Sequence, residues 1–359
     1  MEAARTLLAQ LRPLVASARP PAPHLTAPSL LCSALDTVLG KLEAAAVTEL
    51  AEEVFSLLPF LFQTEHLHED AFLLLRSLTE PLGDYNVTLI CTKQACNVPP
   101  PAAGSLLTGH LPSIAAVCLP HLQSLASLAP APSQLSVCRA VVGLLADLFA
   151  TLGHAMEPSL ATTLAHGLLA ALASEAAAPE LRADLVAALG EVVLTSRHLA
   201  LAEDLVSLVL RPGLAPAAAT LQLLSAVLQT SMSDAVKQTL KVNSEPILRL
   251  IFSPPSDDQQ LRASLGLLGD LACNLPQLLT AGEGAAAEEE LRQLVAAGRD
   301  SGDTGTRELA SWAAQQLAAV LPASARAEKR ARLAGEVFYS VSVQVGDSLL
   351  VTLQPDITA

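Results

Sequence analysis

The chain has 359 residues, of which 51% are hydrophobic but only 3% are aromatic, so alanine, leucine and valine must build its interior. Its formal net charge is −14, from 35 acidic and 21 basic residues, which argues against nucleic acid as a partner because the phosphate backbone is bound by basic surfaces. Alanine and leucine favour helices, whereas strands are enriched in aromatic and β-branched residues. We therefore expect an all-α protein built from close-packed short helices.

The first part of the chain alternates helical patterns with breakers. Residues 3–17 predict a short amphipathic helix, which ends at a proline-rich run. Residues 29–42 and 47–62 predict a helix pair, because apolar residues recur there at spacings of three and four. Glu69 and Asp70 then provide the carboxylates that favour a helix N-terminus.

The helical rhythm breaks after Gly83. The following stretch includes Pro99-Pro100-Pro101, which cannot continue a helix. Equivalent positions on either side, at Glu80 and Asp147, are 67 residues apart, roughly 25 more than in a repeat of about forty residues. We therefore predict that residues 84–108 form an inserted loop.

Helical patterns resume after this stretch and continue almost to the C-terminus. The predicted helices cover residues 111–128, 134–152, 158–173, 180–195, 199–210, 215–230, 233–240, 244–252, 257–271, 288–297 and 306–321. Strand-like runs at 337–345 and 349–353, with Gly346-Asp347 between them, predict a β-hairpin-like or disordered tail. The predicted organisation is a helical array over 1–325 and a C-terminal extension over 326–359.

One apolar helical pattern that closes on a carboxylate recurs along the array, at Glu80, Asp147, Glu191 and Asp270. The interval from Asp147 to Glu191 is 44 residues, and the interval from Glu191 to Asp270 is 79, or two units of about forty. This period is typical of HEAT or armadillo repeats. Each unit is too small to bury its own apolar face, so the units must stack. We expect an α-solenoid of about seven to eight repeats.

No pattern predicts a catalytic, metal or cofactor site. Cys91 and Cys96 have no matching second pair for zinc, and no nucleophile motif or phosphate loop is present. The N-terminus lacks the pattern of a signal peptide, and no uninterrupted apolar run of about 20 residues could span a bilayer. We expect a soluble protein of a reducing compartment that is not an enzyme and does not insert into membranes.

Four ordered stretches resemble importin-β, the karyopherin nuclear transport receptor, in its C-terminal portion. They are residues 29–39, 69–83, 137–148, and 266–271 followed by 309–313. The resemblance runs from about residue 25 to 322, and the N-terminal half of the receptor has no counterpart. In the family that half contains the main Ran-binding surface and a principal site for nucleoporin Phe-Gly repeats. Ran binding is therefore not carried over to this chain, and binding of Phe-Gly repeats is left open.

The resemblance implies a HEAT solenoid whose inner helices wrap a basic helix, the importin-β-binding segment of importin-α, or hold a basic cargo protein. Glu80, Asp147, Glu191 and Asp270 would then form one row that binds Arg or Lys side chains. Trp312, which follows Asp270 by 42 residues, would pack against a basic side chain of the adaptor. The implied localisation is cytoplasm and nucleus, including the nuclear pore.

Each of these roles has a structural alternative. A repeated acid can cap its helix or bridge to the neighbouring repeat, and Trp312 can fill the core of the last repeat. For the whole chain, the alternative is a truncated HEAT-repeat scaffold or regulatory paralogue, which would bind a protein partner without release by Ran.

Overall fold

The computed structural model describes the chain except for residues 16–26, 93–102, 128–130, 175–176, 197–199, 212, 231–232, 281–283, 321–338, 345–349 and 356–359. The described part contains sixteen α-helices, a short 3-10 turn at Glu65–Leu67 and two strands. The helices are α1 (Glu2–Val15), α2 (Ala27–Leu39), α3 (Ala44–Leu61), α4 (His68–Thr92), α5 (Ala103–Ser127), α6 (Pro132–Leu152), α7 (Pro158–Ala173), α8 (Pro179–Ser196), α9 (Ala200–Val209), α10 (Ala217–Gln229), α11 (Asp234–Val242), α12 (Ser244–Phe252), α13 (Asp258–Asn274), α14 (Pro276–Thr280), α15 (Gly284–Arg299) and α16 (Thr304–Val320).

Within the described residues these helices form seven packed pairs. The pairs are α1/α2, α3/α4, α5/α6, α7/α8, α9/α10, α11–α12/α13 and α15/α16. The second members of the pairs also contact one another in chain order, as one continuous row from α2 through α4, α6, α8, α10 and α13 to α16. We call this the second-helix row. Stacked helix pairs of this kind are an α-solenoid, which confirms the predicted fold class.

A leucine-rich core runs between the two layers of helices. Leu35, Leu144 and Leu268, each fully buried, come from three different members of the second-helix row. Among the described residues, one helix, at Gln134–Leu152 within α6, is long and apolar enough to cross a membrane, with a mean hydropathy of 1.8. Half of this stretch is buried by the neighbouring helices, which is the behaviour of a core helix.

Short polar side chains begin three of the later helices. Ser233 accepts a hydrogen bond from the backbone N–H of Val236 at 3.2 Å, and Asp257 accepts one from Gln260 at 2.8 Å. Asp303 accepts both the backbone N–H and the hydroxyl of Thr306, and these two bonds lower the pKa of its carboxyl group. Such caps satisfy backbone donors that the first turn of a helix leaves without partners.

The prediction of a loop over the whole of 84–108 is wrong at both of its ends. Helix α4 continues to Thr92 and α5 begins at Ala103, so 84–92 and 103–108 are helical. Adding residues to an existing helix is far easier than starting one, so α4 continues past Gly83, and in the sequence the strongest helix breaker is the triplet Pro99-Pro100-Pro101. That triplet, within 93–102, lies outside the described residues.

The predicted C-terminal hairpin is present. Strand β1 (Tyr339–Gln344) pairs antiparallel with β2 (Leu350–Pro355), so that Tyr339 is opposite Pro355 and Gln344 is opposite Leu350. The predicted Gly346-Asp347 turn and the start of the extension at 326–338 lie outside the described residues.

Candidate partner-binding surface

The five residues that the sequence singles out all lie on the second-helix row. Asp147 is on α6, Glu191 on α8, Asp270 on α13 and Trp312 on α16. Glu80 belongs to α4, but its side chain is outside the described part of the structure. The four described side chains differ in exposure and in partners, so each is considered in turn.

Asp147 forms an ion pair with Arg76 of the preceding second helix, α4. Arg76 Nε donates to Asp147 Oδ2 at 2.5 Å, and the two side chains are 49% and 29% exposed. The guanidinium lies across α6 where Gly143 leaves room, because a Cβ at that position would be only 3.0 Å from Arg76 Nη1. Asp147 therefore faces solvent in part, with a cation already beside it.

A second carboxylate lies on the other side of α4. Asp36 of α2 accepts a hydrogen bond from the hydroxyl of Ser77, the residue that follows Arg76. Asp36 and Asp147 line one cavity of about 480 Å³, which also includes Arg76 and Ser77. The surface thus extends one repeat further toward the N-terminus than the predicted row, on residues that sequence reasoning missed.

Glu191 is half-buried on α8. Burial raises the pKa of its carboxyl group, and the negative charge of Asp147 on the adjacent α6 raises it further. A raised pKa means that the surroundings disfavour the ionised form. Asp147 and Glu191 therefore repel each other across two successive second helices, which is the proximity that their 44-residue spacing predicts.

Asp270 is only 7% exposed, and its carboxylate is hydrogen-bonded within the protein. Its Oδ2 accepts hydrogen bonds from the hydroxyl of Ser225 and, at 3.1 Å, from the amide of Gln229, both on the preceding helix α10. This geometry matches the alternative in which the acid bridges neighbouring repeats. Asp270 joins α10 to α13 and has little surface to offer a partner.

Trp312 is half-buried on α16, and its indole ring lies directly over Gly269 of α13. A Cβ added at Gly269 would overlap the six-membered ring, so the close approach requires glycine at that position. The tryptophan thus packs the last repeat onto the previous one and keeps part of its surface exposed.

The bridges between second helices share a spacing that could have been found in the sequence. A hydroxyl or guanidinium on one helix pairs with an acid on another, with 41 or 45 residues between them. The pairs are Ser77 with Asp36, Arg139 with Asp184, and Ser225 with Asp270. A search for donor–acid pairs near one repeat length would have identified Asp36 and Ser225, but it would have missed Arg76, which is 71 residues from Asp147.

No protein-family model and no curated protein matches this chain in sequence. Solved structures do match. The chain aligns over 88% of its length with crystal structures of importin beta in polyethylene glycol (17% identity, TM-score 0.52, 44% of that chain) and in ammonium sulfate (16%, 0.52, 42%). It aligns equally far with Kap95p bound to RanGDP (17%, 0.53, 37%).

The fold is similar to that of importin β. At this level of identity the likeness establishes the karyopherin-type HEAT/armadillo architecture alone. The chain spans less than half the length of these importin-β structures. On the second-helix row, partly exposed carboxylates lie on α6 and α8, whereas the acid on α13 accepts hydrogen bonds from the preceding helix α10.

Proposed function

We propose that this chain is a karyopherin-like binding protein whose second-helix row holds a basic helix, that of importin-α or of a basic cargo protein, during nuclear import. The observation that carries the proposal is the pair of partly exposed carboxylates, Asp147 and Glu191, on the adjacent helices α6 and α8, where their like charges repel each other. A cation placed between two such carboxylates relieves the repulsion and makes charge-assisted hydrogen bonds. The net charge of −14 favours approach of a basic partner over the whole surface.

The spacing of the row sets the pattern that a helical partner needs. Packed helices lie about 8–10 Å apart. Along a partner helix with a rise of 1.5 Å per residue and 3.6 residues per turn, side chains about seven residues apart lie on the same face and about 10.5 Å from each other. We therefore expect the bound segment to present Arg or Lys at such intervals on one face.

The predicted residues then take different roles. Asp147 and Glu191 form the centre of the surface, with Asp36 beyond them and Glu80 as an additional acid on α4. The exposed part of the Trp312 ring receives a basic side chain through a cation–π contact, which contributes on the order of 0.5–2 kcal/mol. Asp270 supports the surface by holding α10 against α13.

The test is fluorescence anisotropy with a labelled helical peptide that carries arginine every seventh residue. Charge removal by Asp147→Asn with Glu191→Gln should weaken binding about tenfold or more, because close charge pairs across an interface are lost. The matched control is Glu203→Gln with Asp204→Asn, two exposed acids on α9 in the other helix layer, which should change affinity less than about threefold. Equal losses in both double variants would contradict the proposal.

The complex of the protein with the labelled peptide can also distinguish a transport receptor from a scaffold. Kap95p is bound to RanGDP in the structure to which this chain aligns, and the alignment covers 37% of that protein. We propose three further properties of a receptor for this chain. They are release of the partner by GTP-loaded Ran, shuttling between cytoplasm and nucleus, and contact with nucleoporin Phe-Gly repeats. Release of the labelled peptide on addition of GTP-loaded Ran would indicate a receptor, and an unchanged anisotropy would indicate a scaffold.

A further inference from the structure

The cavity between α2, α4 and α6 has the size and lining of a side-chain receptor. Its volume is about 480 Å³, which falls within the range of ordinary ligand pockets. The lining residues are Asp36, Leu73, Arg76, Ser77, Asp147, Ala150 and Thr151. Leu73 and Ala150 provide apolar wall, and the remaining side chains provide hydrogen-bonding groups.

The charges in the cavity are two carboxylates and one guanidinium. Asp36 uses Oδ1 to accept from Ser77, and Asp147 uses Oδ2 to accept from Arg76. Among the described residues, the second oxygen of each carboxylate has no hydrogen bond. The lining therefore has a net charge of −1 and acceptor capacity for one more donor group.

In the described part of the chain, the ion pair with Asp147 is the polar contact that holds Arg76 in this cavity. Half of its side chain is exposed, and it donates to Asp147 through Nε, while its Nη1 lies over Gly143. Exposed ion pairs contribute little to stability, because they exchange readily with solvent. Arg76 can therefore leave Asp147 at small cost when another cation arrives.

We infer that this cavity receives one arginine side chain of the basic partner, and that Arg76 is a resident competitor that it displaces from Asp147. The inference rests on the proposed function and assigns one contact within it. The guest is an arginine, because a planar guanidinium can donate to Asp36 and Asp147 together, whereas a lysine ammonium acts as a point charge. In the unbound protein, Arg76 neutralises the Asp147 carboxylate. A cation that interacts with Asp147 less strongly than Arg76 does therefore binds poorly.

The first experiment uses N-acetyl-arginine amide as the probe and follows backbone amide shifts of the protein by NMR. Saturable shifts are expected on 73–77 and 147–151, which line the cavity. Arg76→Met should tighten binding about fivefold or more, because it removes the competitor for Asp147, and Asp36→Asn should weaken it by a similar factor. N-acetyl-lysine amide should bind more weakly than the arginine probe to every variant.

Arg139→Met is the matched control. Arg139 also lies on the second-helix row, is 55% exposed and forms a similar ion pair, with Asp184 at 2.9 Å outside the cavity. Its loss changes the net charge by the same amount, so only a larger gain for Arg76→Met indicates competition at Asp147. Equal gains in the two variants, or shifts that do not map to the cavity, would overturn the inference. If Arg76→Met does not fold, as judged by circular dichroism, Arg76→Gln makes the same charge change.

The labelled helix then distinguishes the inference from the proposed function. If the helix binds and its affinity is unaffected by Arg76→Met and Asp36→Asn, the cavity is not an arginine receptor and the proposed function stands. If arginine amide binds at the cavity but the helix does not bind at any salt concentration, the cavity is an arginine site whose partner is not a basic helix, and the proposed function fails.

Discussion

The two halves of the second-helix row use the same repeated position in different ways. On α6 and α8, Asp147 and Glu191 remain partly exposed and close enough to repel each other. On α13, Asp270 is buried and accepts hydrogen bonds from α10. At the next repeated position, on α16, Trp312 packs on Gly269. One half can offer charge to a partner, and the other half uses the same position to join repeats.

The difference is set by the helix that precedes each acid. Before Asp147, the long side chain of Arg76 reaches across Gly143 and leaves the carboxylate near solvent. Before Asp270, the short Ser225 allows close approach, and the Ser225 hydroxyl and the Gln229 amide both donate to a buried oxygen. Buried carboxylates need such donors, whereas exposed ones do not. The residues on the preceding helix therefore decide whether the acid of a repeat stays exposed to a partner or joins two repeats.

The largest effect on stability is expected at the joint of the last two repeats. Gly269→Ala places a methyl group inside the ring of Trp312, and overpacking of this kind costs about 1–3 kcal/mol. Gly266→Ala, one turn earlier on α13, is the control, since its Cβ would come no closer than 3.9 Å to Leu309. That variant should be stabilised by up to about 1 kcal/mol through helix propensity. Urea unfolding followed by circular dichroism measures both.

A double variant identifies the cause. In a Trp312→Ala background the added methyl group meets no ring, so Gly269→Ala should lose most of its cost. A loss of stability that is the same with and without Trp312 would show that the strain arises elsewhere on α13.

The second comparison concerns the acids themselves. Asp270→Ala leaves the hydroxyl of Ser225 and the amide of Gln229 without their buried acceptor, at a cost of about 1–3 kcal/mol. Asp147→Ala removes an exposed ion pair and should cost less than about 1 kcal/mol. Binding of the basic helix should show the opposite order, with the greater loss in Asp147→Ala. Thermal unfolding and anisotropy on the same two proteins check this reversal, and the same order in both measurements would contradict it.

Most of the fold could be predicted from the sequence because apolar spacing and proline breakers act locally. The predicted helix at 158–173 has the same bounds as α7, and the one predicted at 134–152 begins two residues after α6 does. The prediction of a loop over 84–108 is wrong at its ends because a helix that is already formed before Gly83 extends easily into the following residues. The local sequence of 84–92 alone does not reveal this extension.

The site could be predicted only where one repeat length connects its parts. The 44-residue spacing placed Asp147 beside Glu191, as the raised pKa of Glu191 indicates. Arg76 was missed because its distance to Asp147 along the chain, 71 residues, includes the extra residues of the long connection. The burial of Asp270 was missed because it depends on Ser225, a residue type that marks no site by itself.

The smallest effect expected is the pH dependence of stability in the half of the row that contains Asp147 and Glu191. The pKa of Glu191 is raised in the folded chain from its ordinary value of 4.5, so its ionised form destabilises the native state above that raised pKa. As the pH falls through the raised value, the carboxyl group takes up a proton and this destabilisation is lost. Glu191→Gln should therefore raise the unfolding midpoint at pH 7, and the gain should shrink toward zero as the pH approaches 4.5 and below.

Asp147→Asn provides the control for this measurement. It removes the second cause of the raised pKa and leaves the burial of Glu191 in place, so the gain from Glu191→Gln at pH 7 should be smaller in that background. Thermal unfolding of the four proteins of this cycle, repeated between pH 4 and 7 at low salt, measures the coupling. If the gain is the same in both backgrounds, the two carboxylates do not act on each other. The two halves of the row would then differ only in the exposure and hydrogen bonds of their acids, and the repulsion that favours a bound cation would be absent.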